Sequence, residues 1–176
     1  MNLTLFDLDG TLIDTDSDHA FGEFMVEIGW AERESFQRRN DAFYADYVAG
    51  RLDQAAYIQF ATAPWRERSD AELMAARQRF VDQRIRSTVH ESALELVRRH
   101  RAAGDCLAIV TATSEFITRP IADLFGIQTL IALRLERDAA GRVTGRIEGT
   151  PSVREGKVTR VLEWLAAESI ERHALD

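Results

Sequence analysis

Lysine is almost missing from this chain. Of its 22 basic residues 21 are arginine, and the one lysine is Lys157. A position that keeps an ammonium where arginine serves everywhere else is a candidate for a role the guanidinium cannot fill; the alternative is a stray survivor. Cysteine is as scarce. Cys106 stands alone, which excludes an internal disulfide, and in the apolar run CLAIV it is expected to be a buried, inert thiol. Long apolar runs are missing too, and none approaches the ~20 residues that span a bilayer. The N-terminus has no basic region, and Asp7 interrupts its only apolar stretch, so no signal peptide is visible and a soluble cytoplasmic protein is expected. Positive charge is in deficit. A net charge of -7 argues against nucleic acid as the main partner, but not against a phosphorylated small molecule in a locally positive or metal-bound site. Repeats, low-complexity tracts and flexible linkers are absent.

What remains is 176 residues, 45% apolar, enough for one domain or for a core with an insert. NLTLFDLD reads as a short buried strand ended by the turn DGT. From Asp16 to about Thr88 the pattern is helical. DSDHAFGEFMVEIG has a cap at Asp16 or Ser17 and a stop at Gly29; ESFQRRNDAFYADYVAG ends at Gly50; LDQAAYIQFATAP breaks at Pro64; SDAELMAARQRFVDQRI starts at Ser69 or Asp70. Four amphipathic segments with short joins predict a small bundle. Beyond Val89 the pattern alternates. ESALELVRRHRAAG is a helix, CLAIVT a buried strand ending at Thr111, SEFITRPIADLFG a helix bent at Pro120, and IQTLIALRLE contains a strand. RDAAGRVTGRIEG supplies a turn and a hairpin arm with Val143 and Ile147, and GKVTRVLEWLAAES is a last helix. Strand and helix in series predict an open α/β sheet with parallel strands, the helical stretch being an insert after the first strand.

Three places carry chemistry. Asp7 and Asp9 lie two apart at the carboxyl end of a strand, where open α/β sheets bind ligands. Two carboxylates there can share a hard cation such as Mg²⁺; otherwise they cap a solvated turn. Gly10 permits a tight turn, and Thr11 offers a hydroxyl beside main-chain N–H groups able to receive an anion. In LAIVTATSEF a hydroxyl at a strand end faces a helix N-terminus, which suits an anion, although Thr113 or Ser114 can equally cap that helix. In REGKVTRVLEWL, Lys157 occupies the first turn of a helix, the end where the dipole disfavours a cation. A nearby anion or the aspartate pair would account for it; an exposed, tolerated lysine is the plainer reading.

Together DLDGT, the apolar strand ending in Thr111, and Lys157 in EGKV resemble the first three motifs of the haloacid dehalogenase superfamily, in order and over essentially the whole chain. The branch it resembles contains the phosphoserine phosphatase-like and histidinol-phosphatase-like enzymes, and GEF, TAT and EGKV are similar to an uncharacterised subgroup of it. The resemblance implies a Rossmann-like core formed by residues 1–15 and 89–176, and a helical C1 cap over 16–88. It implies a Mg²⁺-dependent phosphomonoesterase. Asp7 would be the nucleophile and Asp9 the acid and base; Thr111 and the Ala112 N–H would hold phosphate, and Lys157 would neutralise charge on phosphate and Asp7. Mg²⁺ would bind the Asp7 carboxylate and the Asp9 carbonyl. Asp14, Asp16 and Ser17 would face the substrate or serve as caps; the acidic entrance of Asp14, Asp16 and Asp18 suits an amine. Phosphoserine and histidinol phosphate are the candidate metabolites. The family's fourth motif, a strand with an acidic loop giving a further metal ligand, has no counterpart before ESIERHALD. The expectation is therefore a shortened form of a longer enzyme, with an uncovered edge beside Asp7, weak Mg²⁺ binding and little turnover. A regulatory phosphate-binding module and a phosphotransferase are the alternatives.

Overall fold

The computed structural model describes residues 2–168. Beyond Glu168, where a further strand was expected to begin, the chain lies outside the described residues. After β1 (Leu3–Phe6) come α1 (Ser17–Glu27), α2 (Arg33–Val48), α3 (Gln54–Thr62) and α4 (Asp70–Phe80). α4 runs on into a π-helical turn, Val81–Ile85, and a 3-10 turn, Arg86–Thr88. Then follow α5 (Glu91–Ala102), β2 (Cys106–Ser114), α6 (Glu115–Leu124), β3 (Thr129–Arg137), β4 (Val143–Glu148) and α7 (Glu155–Ala167).

The helices start where side chains satisfy free N–H groups. Asp16 accepts from Asp18 N and His19 N, Glu32 from Glu34 N and Ser35 N, and Asp53 from Ala56 N. Ser69 and Glu72 exchange bonds in a capping box. Each such cap is worth about 1 kcal/mol. Pro120 lies inside α6 and has no N–H to give the Phe116 carbonyl one turn back. Arg77 of α4 donates to that carbonyl instead, at 3.4 Å, so the gap becomes a tie between the helical segment and α6.

Among the described residues the sheet has four strands in the order β1-β2-β3-β4. The first three are parallel, and β4 returns antiparallel to β3. β1 therefore pairs with β2 alone among the described residues. Alternation along β2 sends Ile109 into a large apolar cluster and Val110 into a small one with Ile131, Val161 and Leu165, which seats α7. The large cluster runs without a break from Leu8 and Ile109 through Ile121 of α6 to Phe21, Phe24 and Phe80 of the helical segment. Phe21 meets Phe80 edge-on at 5.0 Å, and Trp65 stacks on Phe116 at 4.4 Å.

Two local readings need correction. The strand does not stop at Thr111. Pairing with β3 lapses after Val110 and resumes at Ser114, because Thr113 N turns to donate to Thr111 Oγ1 at 3.1 Å. Cys106 is half-buried, since it is the first residue of β2 and not its middle.

Candidate active site

The β1–β2 register pairs Phe6 with Ile109, so the residues after both strands leave the sheet side by side. Leu8, fully buried, anchors the turn, and its carbonyl accepts from Leu12 N at 2.9 Å and from Thr11 N and Ile13 N at 3.2 Å. Gly10 takes a φ of 69°, which a side chain resists. The turn leaves Asp7 exposed and folds Asp9 inward. Asp9 Oδ1 accepts from Ser17 N at 2.8 Å; Oδ2 accepts from Thr113 Oγ1 at 3.0 Å and Thr111 Oγ1 at 3.3 Å. Burial above all raises the Asp9 carboxyl above its ordinary pKa, and the Asp16 charge adds to this, while the bonds from Ser17 and Thr113 act the other way. Ser114 holds the N-cap position of α6 but its side chain makes no cap bond, and the Thr113 hydroxyl is spent on Asp9. Thr11 is exposed and does not line the cavity described below.

Lys157 stands in the first turn of α7, and its Nζ lies 2.7 Å from Asp7 Oδ1. The loop before it is built for this placement. The buried Ser152 hydroxyl donates to the Thr111 carbonyl at 2.5 Å, tying the loop to the end of β2. A Cβ on Gly156 would sit 2.0 Å from the Pro151 carbonyl oxygen, so only glycine lets the loop fold onto the helix. Arg154, with a φ of 48°, donates to the Gly50 carbonyl at 2.6 Å and ties the loop to the turn after α2.

Asp7, Asp9, Thr111, Ala112 and Lys157 open into a cavity of about 720 Å³. Its other wall comes from the helical segment: Asp16, Asp18, His19, Asn40, Tyr44, Tyr47 and Tyr57. Asp18 is raised well above the ordinary carboxylate range, by burial first and then by the Asp16 and Asp9 charges. Two residues expected to face a substrate do not line the cavity. The Asp14 N–H bonds to the Thr88 carbonyl at 2.9 Å, and its exposed carboxylate lies 3.6 Å from His90. Ser17 is fully buried and offers Asp9 its N–H. Asp16 lines the cavity and caps α1 at once. Sequence reasoning passed over Thr113 as a partner of Asp9, and Ser152, His19 and Asn40 altogether. For Asn40 a signal existed, a polar residue on the Phe36–Phe43 apolar stripe of α2.

At the end of β1 two groups offer oxygen to a hard cation. One is the half-exposed Asp7 carboxylate; the other is the Asp9 main-chain carbonyl, which accepts no hydrogen bond among the described residues. Both carboxylate oxygens of Asp9 are taken. No group of three or more His, Cys, Asp or Glu among the described residues is arranged to hold a metal. This donor set fits an ion that keeps most of its ligands as water and phosphate, as Mg²⁺ does. No described helix is long and apolar enough to cross a membrane.

Comparison with known proteins gives this geometry relatives. A family model for haloacid dehalogenase-like hydrolases matches residues 4–175. A histidinol-phosphatase of Neisseria meningitidis serogroup C is 41% identical over 165 residues, covering 94% of this chain and 74% of that protein. The crystal structure of a protein of unknown function from Bordetella pertussis Tohama I shares 43% identity with a TM-score of 0.90, over 99% of this chain and 78% of the other. A phosphoserine phosphatase solved as a phospho-aspartyl intermediate analogue matches with a TM-score of 0.65 at 19% identity, over 97% of this chain and 73% of its own; that likeness is one of fold.

Proposed function

The chain belongs to the haloacid dehalogenase-like hydrolase family and is a phosphatase, and on that premise we propose how its residues work and on what. The observation that carries the reading is the ion pair between Lys157 and Asp7, 150 residues apart in sequence, beside an inward-folded Asp9 whose pKa is raised.

An Asp7 oxygen attacks phosphorus, the bond to the ester oxygen breaks, and its electron pair leaves with that oxygen. Asp9 supplies the proton the leaving oxygen needs, and burial favours its holding one. Water then attacks the aspartyl-phosphate and gives its proton to Asp9, releasing phosphate and restoring both carboxyl groups. Lys157 offsets the charge of Asp7 as an anionic substrate approaches, and Thr111 with the Ala112 N–H holds phosphate oxygens. The Asp7 carboxylate and the Asp9 carbonyl would hold Mg²⁺, which when bound neutralises charge between carboxylate and phosphate. Residues 1–15 and 89–176 form the catalytic part, and 16–88 a lid that excludes water and selects the substrate.

The substrate we propose is a small phosphomonoester with an amine in its leaving group, histidinol phosphate first. Asp16 supplies negative charge, and the tyrosines supply ring faces that attract a cation. Phosphoserine would bring a carboxylate toward that acid. The two arginines of the cavity are already engaged, Arg51 with Asp46 at 2.8 Å and Arg154 with the Gly50 carbonyl. The test is phosphate release from histidinol phosphate and phosphoserine with added Mg²⁺, with Asp7→Asn as control. Turnover of the first, abolished in Asp7→Asn, is expected. Activity surviving in that variant would sink the nucleophile assignment. Binding without turnover would point to a regulatory module, and release only with an added alcohol to phosphotransfer.

A further inference from the structure

His19 takes no part in the chemistry above, yet its ring is held by a specific hydrogen bond. The Asn40 side chain, buried to 2% exposure, places Nδ2 3.1 Å from the His19 carbonyl oxygen and 3.1 Å from His19 Nδ1. A main-chain carbonyl can only accept, so the amide must turn its NH₂ this way; the opposite orientation would set two acceptors face to face. One amide hydrogen serves the carbonyl and the other serves Nδ1. Nδ1 is therefore an acceptor, and the neutral ring carries its hydrogen on Nε2.

The arrangement is built into the packing of α1 against α2. A Cβ on Gly22 would lie 2.6 Å from Asn40 Nδ2, so only glycine lets the amide reach across. The Tyr44 ring backs the imidazole at 4.7 Å, tilted by 33°. Among the described residues Nε2 has no hydrogen-bond partner. The nearest carboxylate, Asp41, stands 3.6 Å away and is largely exposed. His19 itself lines the cavity that would receive the leaving group, so a donor of fixed identity belongs to that wall.

We propose that His19 is a specificity-determining residue, a neutral Nε2–H donor locked by Asn40 that reads an acceptor atom on a planar leaving group. Asn40 is a positioning residue acting through it. This deepens the phosphatase reading given above and rests on it. The chemistry selected is a ring with an in-plane acceptor nitrogen or oxygen, distinct from the amine that Asp16 would attract.

The test compares two esters without an amine, 2-(imidazolyl)ethyl phosphate and 2-phenylethyl phosphate, whose rings differ in having an acceptor. In His19→Leu, KM for the imidazolyl ester is expected to rise about tenfold, as the loss of one hydrogen bond predicts. KM for the phenyl ester and kcat for both are expected to stay within a factor of two or so. His19→Gln, which keeps an N–H donor near the Nε2 position, is expected to recover most of the loss. Independently of any substrate, ¹⁵N NMR of the full chain should show the Nε2–H tautomer at His19, assigned by its absence in His19→Gln. In Asn40→Ala the ring should populate both tautomers. An equal loss for both esters, no loss for either, or an Nδ1–H tautomer in the unsubstituted protein would overturn the proposal. A failure of the amine reading shows separately: histidinol phosphate would then turn over no better than the imidazolyl ester, with the His19 comparison intact.

Discussion

Replacing Gly156 by alanine sets two physical effects against each other. The residue is second in α7 and its φ is not positive, so alanine can adopt the backbone there. Helix propensity alone then predicts a gain of about 0.5–1 kcal/mol. The structure predicts the reverse. The added carbon would stand 2.0 Å from the Pro151 carbonyl oxygen, and a backbone atom cannot swing aside as a long side chain can. The loop must retreat by more than about 1 Å, at a cost of about 1–3 kcal/mol for overpacking. Its retreat pulls on the Ser152 bond to the Thr111 carbonyl and on the first turn that aims Lys157 at Asp7. For a chain of this size each kcal/mol moves Tm by about 2–4 °C, so a fall of several degrees is expected by calorimetry. A displacement near 1 Å at a charged site costs about 10²-fold in rate, and kcat/KM should fall on that order. A higher Tm with unchanged kcat/KM in Gly156→Ala would refute the reasoning, because propensity would then have won and the loop would have no hold on the lysine.

Lys157→Ala should lower kcat by about 10²–10³-fold, the effect of losing one preorganised charge. Its Tm should barely move, because the pair with Asp7 is partly exposed and such pairs contribute about 0–1 kcal/mol. Asp18→Asn should stabilise the protein in a pH-dependent way. The folded state holds the Asp18 proton more tightly than the unfolded chain, so stability falls as pH rises from 3.8 to the higher folded value. The gain in Tm should therefore be larger at about pH 7 than at about pH 3.5, and equal gains at both would remove burial as the cause. Glu32, the cap of α2, behaves oppositely. Bonds from the Ser35 hydroxyl and N–H, then the Glu34 N–H, lower its pKa from 4.5 to about 2. Its contribution is complete above 4.5 and is lost as pH falls toward about 2, so Glu32→Gln should flatten acid denaturation across that window.

Much of this was legible in the sequence, and what was hidden shares one cause. Strand-end acids, a strand ending in hydroxyls and a solitary lysine declare themselves locally, and the alternation after Val89 gives the parallel sheet. A partner across the fold does not declare itself. Thr113 looked like a helix cap because its spacing from α6 is right; only the irregular stretch after Val110 turns its hydroxyl to Asp9. Ser152 reads as a loop serine until the loop is laid against β2. Asp14 and Ser17 belong to the same acidic, hydroxylic run as Asp16, yet the turn pinned by Leu8 sends one to solvent and the other inward. Periodicity says which face a residue occupies, and not what occupies the face opposite.

The active site borrows from places far apart along the chain: Asp9 meets Thr111 across 102 residues, and Lys157 meets Asp7 across 150. Neither contact can form before the chain has closed those lengths, and closure of long loops is what slows folding. Turnover during refolding should thus return no earlier than the docking of β1, β2 and α7 on one another. Helical signal from the segment between β1 and α5 rests on nearer neighbours and can recover first. Phosphatase activity is then a clock for the last stage of assembly, and the interval between the two signals measures how long the chain exists with its helices made and its charges still apart.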